Sequence, residues 1–199
     1  MIGQINFENN SLGVHIVNIC SMPDVINIVE VGTWNGCGTT RCILEGIKEK
    51  HKYNVKSFEC SPEMYIEAVK NNVKNIRSGF ELILGKLVDE DCIDKWFDVS
   101  ILNEEQKGWL LQDVNWMKNV PNVLFRVPEL IDLLILDGGE YSTYPEWTLL
   151  KDRIHYCVLD DVNMIKCSKI RQEVLSSDKY QIIEENLNVG NGYLVFKKI

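Results

Sequence analysis

The stretch Ile28-Val29-Glu30-Val31-Gly32-Thr33-Trp34-Asn35-Gly36-Cys37-Gly38-Thr39-Thr40 constrains the fold more than any other part of this chain. A short apolar run ends at Glu30, glycines follow at positions 32, 36 and 38, and a helical pattern starts near Thr39. A strand that breaks into a glycine loop and re-emerges as a helix is how an α/β sheet holds a nucleotide-like cofactor. Glycine permits positive φ and close backbone approach, and the helix start offers unpaired N–H groups. The spacing is Glu-x-Gly-x-x-x-Gly-x-Gly, not the Gly-x-Gly-x-x-Gly that grips a dinucleotide. An NAD-dependent oxidoreductase is therefore the weaker enzyme reading.

The rest of the chain repeats the alternation of strand and helix. Residues 11–22 read as a helix stopped by Pro23, 26–31 as a strand, 39–50 as a helix with Cys42, Ile43 and Ile47 on one face, and 54–60 as a second strand. Ser61-Pro62-Glu63 starts a helix, with serine as N-cap and proline in the first turn. Strands are expected at 80–84, 131–136 and 154–159, a helix at 165–176, and two last strands at 180–186 and 192–198. The turn Asn188-Val189-Gly190-Asn191-Gly192 makes those two a hairpin, so one of them runs antiparallel. This is the pattern of a parallel sheet covered by helices on both faces.

The 199 residues suit one domain. Between strands three and four lies a long interruption, 86–130, with Trp96, Trp109, Trp116 and a helix near 103–118. Its plain reading is an extra packing helix, and its functional reading is a cap over the acceptor site with indoles as stacking surfaces. The acidic run Asp89-Glu90-Asp91 reads as a solvated loop. A net charge of −8 argues against a nucleic-acid partner and against an anionic membrane surface. No apolar run reaches the ~18 residues of a spanning helix. The first ten residues lack a basic segment followed by an apolar one, and the seven cysteines are scattered, so reduced thiols and a cytoplasmic location are expected. His15, His51 and His155 lie away from any paired cysteines, which argues against zinc; His155 stands at the amino end of its strand and is read as structural, and His15 and His51 as surface or structural.

Ligands of open α/β sheets bind beyond the carboxyl ends of the strands. Glu30 with its loop, Glu59, Asp137 and the pair Asp160-Asp161 all fall there. Glu59 ends the second strand, where a carboxylate can accept hydrogen bonds from both hydroxyls of a ribose. Asp137, Glu140, Asp160 and Asp161 form an acidic cluster at adjacent strand ends; oxygen ligands of this kind suit Mg²⁺ or Ca²⁺ rather than zinc. Adjacent strand residues point to opposite faces, so Asp160 and Asp161 can act together only where the strand has already turned into loop.

The segment Glu30–Gly38, with Glu59, resembles the first motif and ribose-binding acid of class I S-adenosylmethionine-dependent methyltransferases. Residues 131–144 and 158–163 continue the likeness and are similar to small-molecule O-methyltransferases, especially those acting on sugars of glycans or polysaccharides. The resemblance implies a Rossmann-like seven-stranded sheet, mostly parallel, with the last strand inserted antiparallel. It implies S-adenosylmethionine as cofactor, held by Glu30, Gly32, Thr33, Trp34, Asn35, Gly36, Gly38, Glu59, Cys60, Ser61, Lys86, Leu87 and Asp137. It places Asp137, Glu140 and Asp161 in catalysis. The sequence itself offers Tyr141 and Tyr144 as acceptor-side rings. In relatives a divalent cation such as Mg²⁺ lies between an acid after strand four and an acid pair after strand five, which here are Asp137, Asp160 and Asp161; a metal-free carboxylate base is the alternative. Glu140 stands where many relatives have histidine. The acceptor is expected to be a small molecule or glycan, and the domain can be part of a larger multidomain protein. The rival outside enzymology is a cofactor-binding module that has lost catalysis and serves a partner.

Overall fold

In the computed structural model, residues 5–76 and 79–199 are described. The elements run α1 (Ser11–Ser21), β1 (Asn27–Val31), α2 (Thr39–Gly46), β2 (Asn54–Glu59), α3 (Pro62–Asn72), β3 (Phe80–Leu84), α4 (Ile93–Trp96), α5 (Glu104–Lys118), β4 (Ile131–Leu136), α6 (Thr143–Leu150), β5 (Ile154–Asp160), α7 (Ile165–Leu175), β6 (Tyr180–Asn186) and β7 (Tyr193–Lys198). The seven strands form one sheet in the order β3-β2-β1-β4-β5-β7-β6. β7 is antiparallel to both neighbours, and the other described pairings are parallel. The antiparallel last strand expected from the hairpin is thus present, slotted between β5 and β6.

Alternation along the strands divides the core into two layers. Ile28, Leu133, Ile135 and Val158 pack with Leu12, Ile16, Cys42, Ile43 and Ile47 of the α1 and α2 side. Val29, Val31, Leu134 and Leu136 pack on the other side with Trp147 of α6 and Ile170 and Val174 of α7. Residues buried on both faces explain why the strands read as continuous apolar runs. A third, smaller cluster (Val88, Ile93, Leu110, Met117, Tyr141) joins the 86–130 segment to the loop after β4.

Local sequence sets the helix starts. Asn10 caps α1 by accepting from the Leu12 and Gly13 N–H groups at 2.9 and 3.4 Å. Ser61 caps α3, with Pro62 in its first turn. Asn103 and Gln106 exchange hydrogen bonds in a capping box that opens α5. α2 ends at Gly46, earlier than the expected 50, and closes in turns. The acidic run is not simply solvated: Asp89 and Glu90 hold the Lys86 ammonium at 3.2 and 2.6 Å. All seven cysteines are free thiols. No helix of the described residues is long and apolar enough to cross a membrane.

Candidate active site

A cleft of about 270 Å³ opens at the carboxyl ends of β1 to β4. Its floor is made where two segments of the chain meet closely. Gly32 has φ of +93°, and a Cβ there would lie 2.1 Å from the Asp137 carbonyl oxygen. Only glycine lets the loop after β1 press against the end of β4 in this way. The contact is locked by the Asp137 N–H donating to the Val31 carbonyl at 2.9 Å.

The Glu59 carboxylate shapes the loop from the side. It accepts from the Trp34 N–H at 2.6 Å and from the Ser61 N–H at 2.7 Å. Trp34 takes a positive φ of 51°, unusual for an aromatic residue, and the bond to Glu59 helps hold it there. Burial pushes the Glu59 carboxyl up to about 7, against the pull of the Ser61, Trp34 and Cys60 backbone N–H groups.

Glu30 lies beneath the loop, fully buried. It accepts from the Thr39 hydroxyl at 2.5 Å, from the Thr40 hydroxyl at 2.9 Å and from the Ser57 hydroxyl. These bonds tie the end of β1 to the start of α2 and to β2. Burial raises its carboxyl to about 7 even with three hydroxyl donors.

Of the residues expected to hold a cofactor, Gly32, Trp34, Glu59, Cys60, Lys86, Leu87 and Asp137 form cleft wall. Glu30, Thr33 and Ser61 are buried behind it and shape it. Gly36 serves packing: a Cβ there would meet the Asn72 side chain at 2.3 Å, and the Asn72 amide donates to the Gly36 carbonyl at 3.0 Å. Asn35 accepts from the Cys37 N–H at 3.0 Å, and Gly38 stands at the N-cap of α2.

One face of α5 covers the cleft. Trp109, Gln112, Asp113 and Trp116 stand at i, i+3, i+4 and i+7 and all line it. Trp116 meets Trp34 edge to face, with ring centroids 6.2 Å apart. Asp113 is buried and accepts from the Tyr141 N–H at 2.9 Å, and burial raises its carboxyl to about 6. Trp96 lies elsewhere, packed on Tyr144 at 5.1 Å.

Sequence reasoning misplaced the two tyrosines. Tyr141 is fully buried, with its hydroxyl donating to the Gln106 carbonyl at 3.1 Å, and Tyr144 is buried in the α6–α7 core. Neither is a wall of the cleft. The turn into α6 directs both rings into packing against α4, α5 and α7.

Three of the four acids expected to cluster come together. Asp137, Asp160 and Asp161 each offer a carboxylate oxygen, and these atoms lie within 4.8 Å of one another. Asp161 has φ of 57°, so the chain has left the strand, and the condition for the two neighbours to act on one point is met. The hairpin turn braces it: the Asn191 amide donates to Asp161 at 3.0 Å. Asp137 and Glu140 line the cleft, whereas Asp160 and Asp161 are not part of its wall.

Three residues at the site escaped the sequence reading. Lys166, buried in the first turn of α7, places its ammonium 2.9 Å from Asp137 and 2.6 Å from Asp161. Its backbone N–H also donates to Glu140 at 3.1 Å. Glu146 lines the cleft from α6 with its Oε2 buried and without a hydrogen-bond partner, and burial pushes that carboxyl up to about 8. Asp113 is the third. Signals existed for two of them. A lysine at a helix N-terminus opposes the helix dipole and needs acids nearby, and Asp113 shares a helical face with two tryptophans.

A divalent ion fits this cluster poorly as it stands. The donor set is right in chemistry and spacing, but the position between Asp137 and Asp161 is taken by an ammonium.

No family model matches the chain, and no curated protein does. Solved structures do. A candidate caffeoyl-CoA O-methyltransferase of Staphylococcus aureus superposes with a TM-score of 0.61 at 12% identity, covering 98% of this chain and 86% of that one. An O-methyltransferase of Bacillus cereus in complex with SAH (S-adenosylhomocysteine) gives 0.60 at 16% identity, covering 96% and 82%. An SAH-bound methyltransferase of Podospora anserina gives 0.60 at 11%, covering 94% and 77%. The chain has the fold of the class I S-adenosylmethionine-dependent methyltransferases.

Proposed function

We propose that this chain is an S-adenosylmethionine-dependent O-methyltransferase acting on a hydroxyl of a small molecule. The observation that carries the reading is the cleft itself. A glycine loop pressed on Asp137, with Glu59 beside it and an aromatic face above, sits where this sheet type binds ligands. The bound cofactor would supply a methyl group on a sulfonium leaving group.

The chain's own residues then have three tasks. Glu59 accepts the ribose hydroxyls while keeping Trp34 and the loop in place. Trp109 and Trp116 cover the acceptor and exclude water. Glu140 takes the acceptor's proton as general base: it lines the cleft, and burial raises its carboxyl, which strengthens it as a base. Asp137 places the acceptor hydroxyl, with Lys166 fixing its carboxylate. Holding nucleophile and methyl donor in line contributes more here than any covalent chemistry by the protein.

The finer proposal is a sugar hydroxyl of a glycan or polysaccharide. Indole faces beside carboxylates suit a ring that is apolar on one face and hydroxylated at its edge. The test is SAH release by the purified protein, with labelled S-adenosylmethionine, across phenolic, catecholic and sugar acceptors. Labelled sugar product supports the finer reading. Label only in a phenol or catechol refutes the sugar and keeps the methyl transfer. Cofactor binding without methylation of any acceptor favours a non-catalytic binding module.

A further inference from the structure

We infer that the Lys166 ammonium is the resident cation of the Asp137–Asp160–Asp161 cluster, occupying the place of a divalent metal ion and making the site independent of one. The carboxylate oxygens lie within 4.8 Å of one another, close enough for one cation to serve all three. That cation is already present. Lys166 Nζ donates to Asp137 at 2.9 Å and to Asp161 at 2.6 Å, and its side chain is only 6% exposed.

Two features make this placement a built arrangement. Lys166 stands in the first turn of α7, where the helix dipole disfavours a positive charge, so the acids must outweigh that cost. The segment that carries it is pinned at both ends of the site: the Lys166 N–H reaches Glu140 at 3.1 Å, and the Met164 N–H reaches the Asp161 carbonyl at 2.9 Å. These bonds fix the backbone from which the lysine reaches the cluster, and the two carboxylates hold its ammonium there. A metal ion would have to displace a charge of the same sign held by two carboxylates.

The inference builds on the methyl-transfer reading for its consequence, but its test does not. Lys166 touches no expected ligand and acts through Asp137, so it is a positioning residue. The decisive readout is calorimetric titration of the purified protein with Mn²⁺ alone. The wild-type protein is expected to show no site, and Lys166→Met, which keeps the length and removes the charge, is expected to gain one. The gain should be roughly a hundredfold or more, as expected when a like charge leaves a partly buried cation site, and it should vanish again on adding Asp161→Asn. Mn²⁺ binding by wild type that is lost on Asp161→Asn would overturn the inference. So would a folded Lys166→Met protein that binds no metal, since the carboxylates would then not form a cation site at all. If Lys166→Met does not fold, the wild-type Lys166 ammonium resonance decides: it should be protected from exchange and unmoved by Mg²⁺, and displacement by Mg²⁺ would refute the assignment. SAH binding, measured in the same samples, reports separately on the methyltransferase reading.

Discussion

The Glu59 carboxylate at the end of β2 accepts the Trp34 N–H at 2.6 Å, so the acid expected to hold a ribose also sets the shape of the glycine loop after β1. One side chain therefore couples two halves of the cleft. Replacing it with glutamine removes a charge-assisted acceptor worth about 1.5–3 kcal/mol. Glu59→Gln should weaken SAH binding by roughly ten- to a hundredfold, read by calorimetry, while the protein stays folded by circular dichroism.

Glu30 makes stability depend on pH. Its folded value of about 7 lies above the ordinary 4.5, so the folded protein binds the proton more tightly than the unfolded chain. Its contribution is complete below about pH 4.5 and is lost as pH rises toward and through 7. Glu59 and Glu146, raised to about 7 and about 8, act in the same direction. Denaturant unfolding at pH 5 and pH 8 should show the lower stability at pH 8. Glu30→Gln should flatten that slope, by at most ~1.4 kcal/mol per pH unit.

Glu146 has a buried carboxyl oxygen with no partner, which is costly in the free protein. Its place in the cleft wall makes a polar group of a bound ligand the proposed partner. Glu146→Leu should raise the stability of the free protein by about 1–3 kcal/mol, the usual cost of an unsatisfied buried polar group. The same change should reduce methyl transfer or the melting shift given by SAH. A variant that is stabilised and fully active would place Glu146 outside the site.

The 86–130 segment is proposed to face the acceptor through Trp109. Trp109→Ala should raise the acceptor KM several-fold, in line with the loss of about 0.5–1.5 kcal/mol of aromatic contact. SAH binding should be unchanged. A loss of SAH affinity with an unchanged acceptor KM would move this helix to the cofactor side.

Much of this was legible in the sequence, for physical reasons. The strands show because burial on both faces forces runs such as Ile131–Leu136, and the loop shows because Gly32 has no substitute where it meets Asp137. Glu59 and the acidic pair fall at strand ends, where the rule for open sheets is strong. α6 does not announce itself: its buried face mixes Pro145, Glu146 and Trp147, and no periodic stripe marks it. Missing that helix is what sent Tyr141 and Tyr144 toward the acceptor. Lys166 was hidden for another reason. Its partners lie 29 and 5 residues away and meet it only once β4, β5 and α7 are side by side.

Calorimetric titration with SAH, and in parallel with NAD, tests the central claim most directly. SAH should bind saturably to the wild-type protein and weakly to Glu59→Gln, and NAD should not bind. Binding of NAD in place of SAH, or SAH binding that ignores Glu59, would contradict the account.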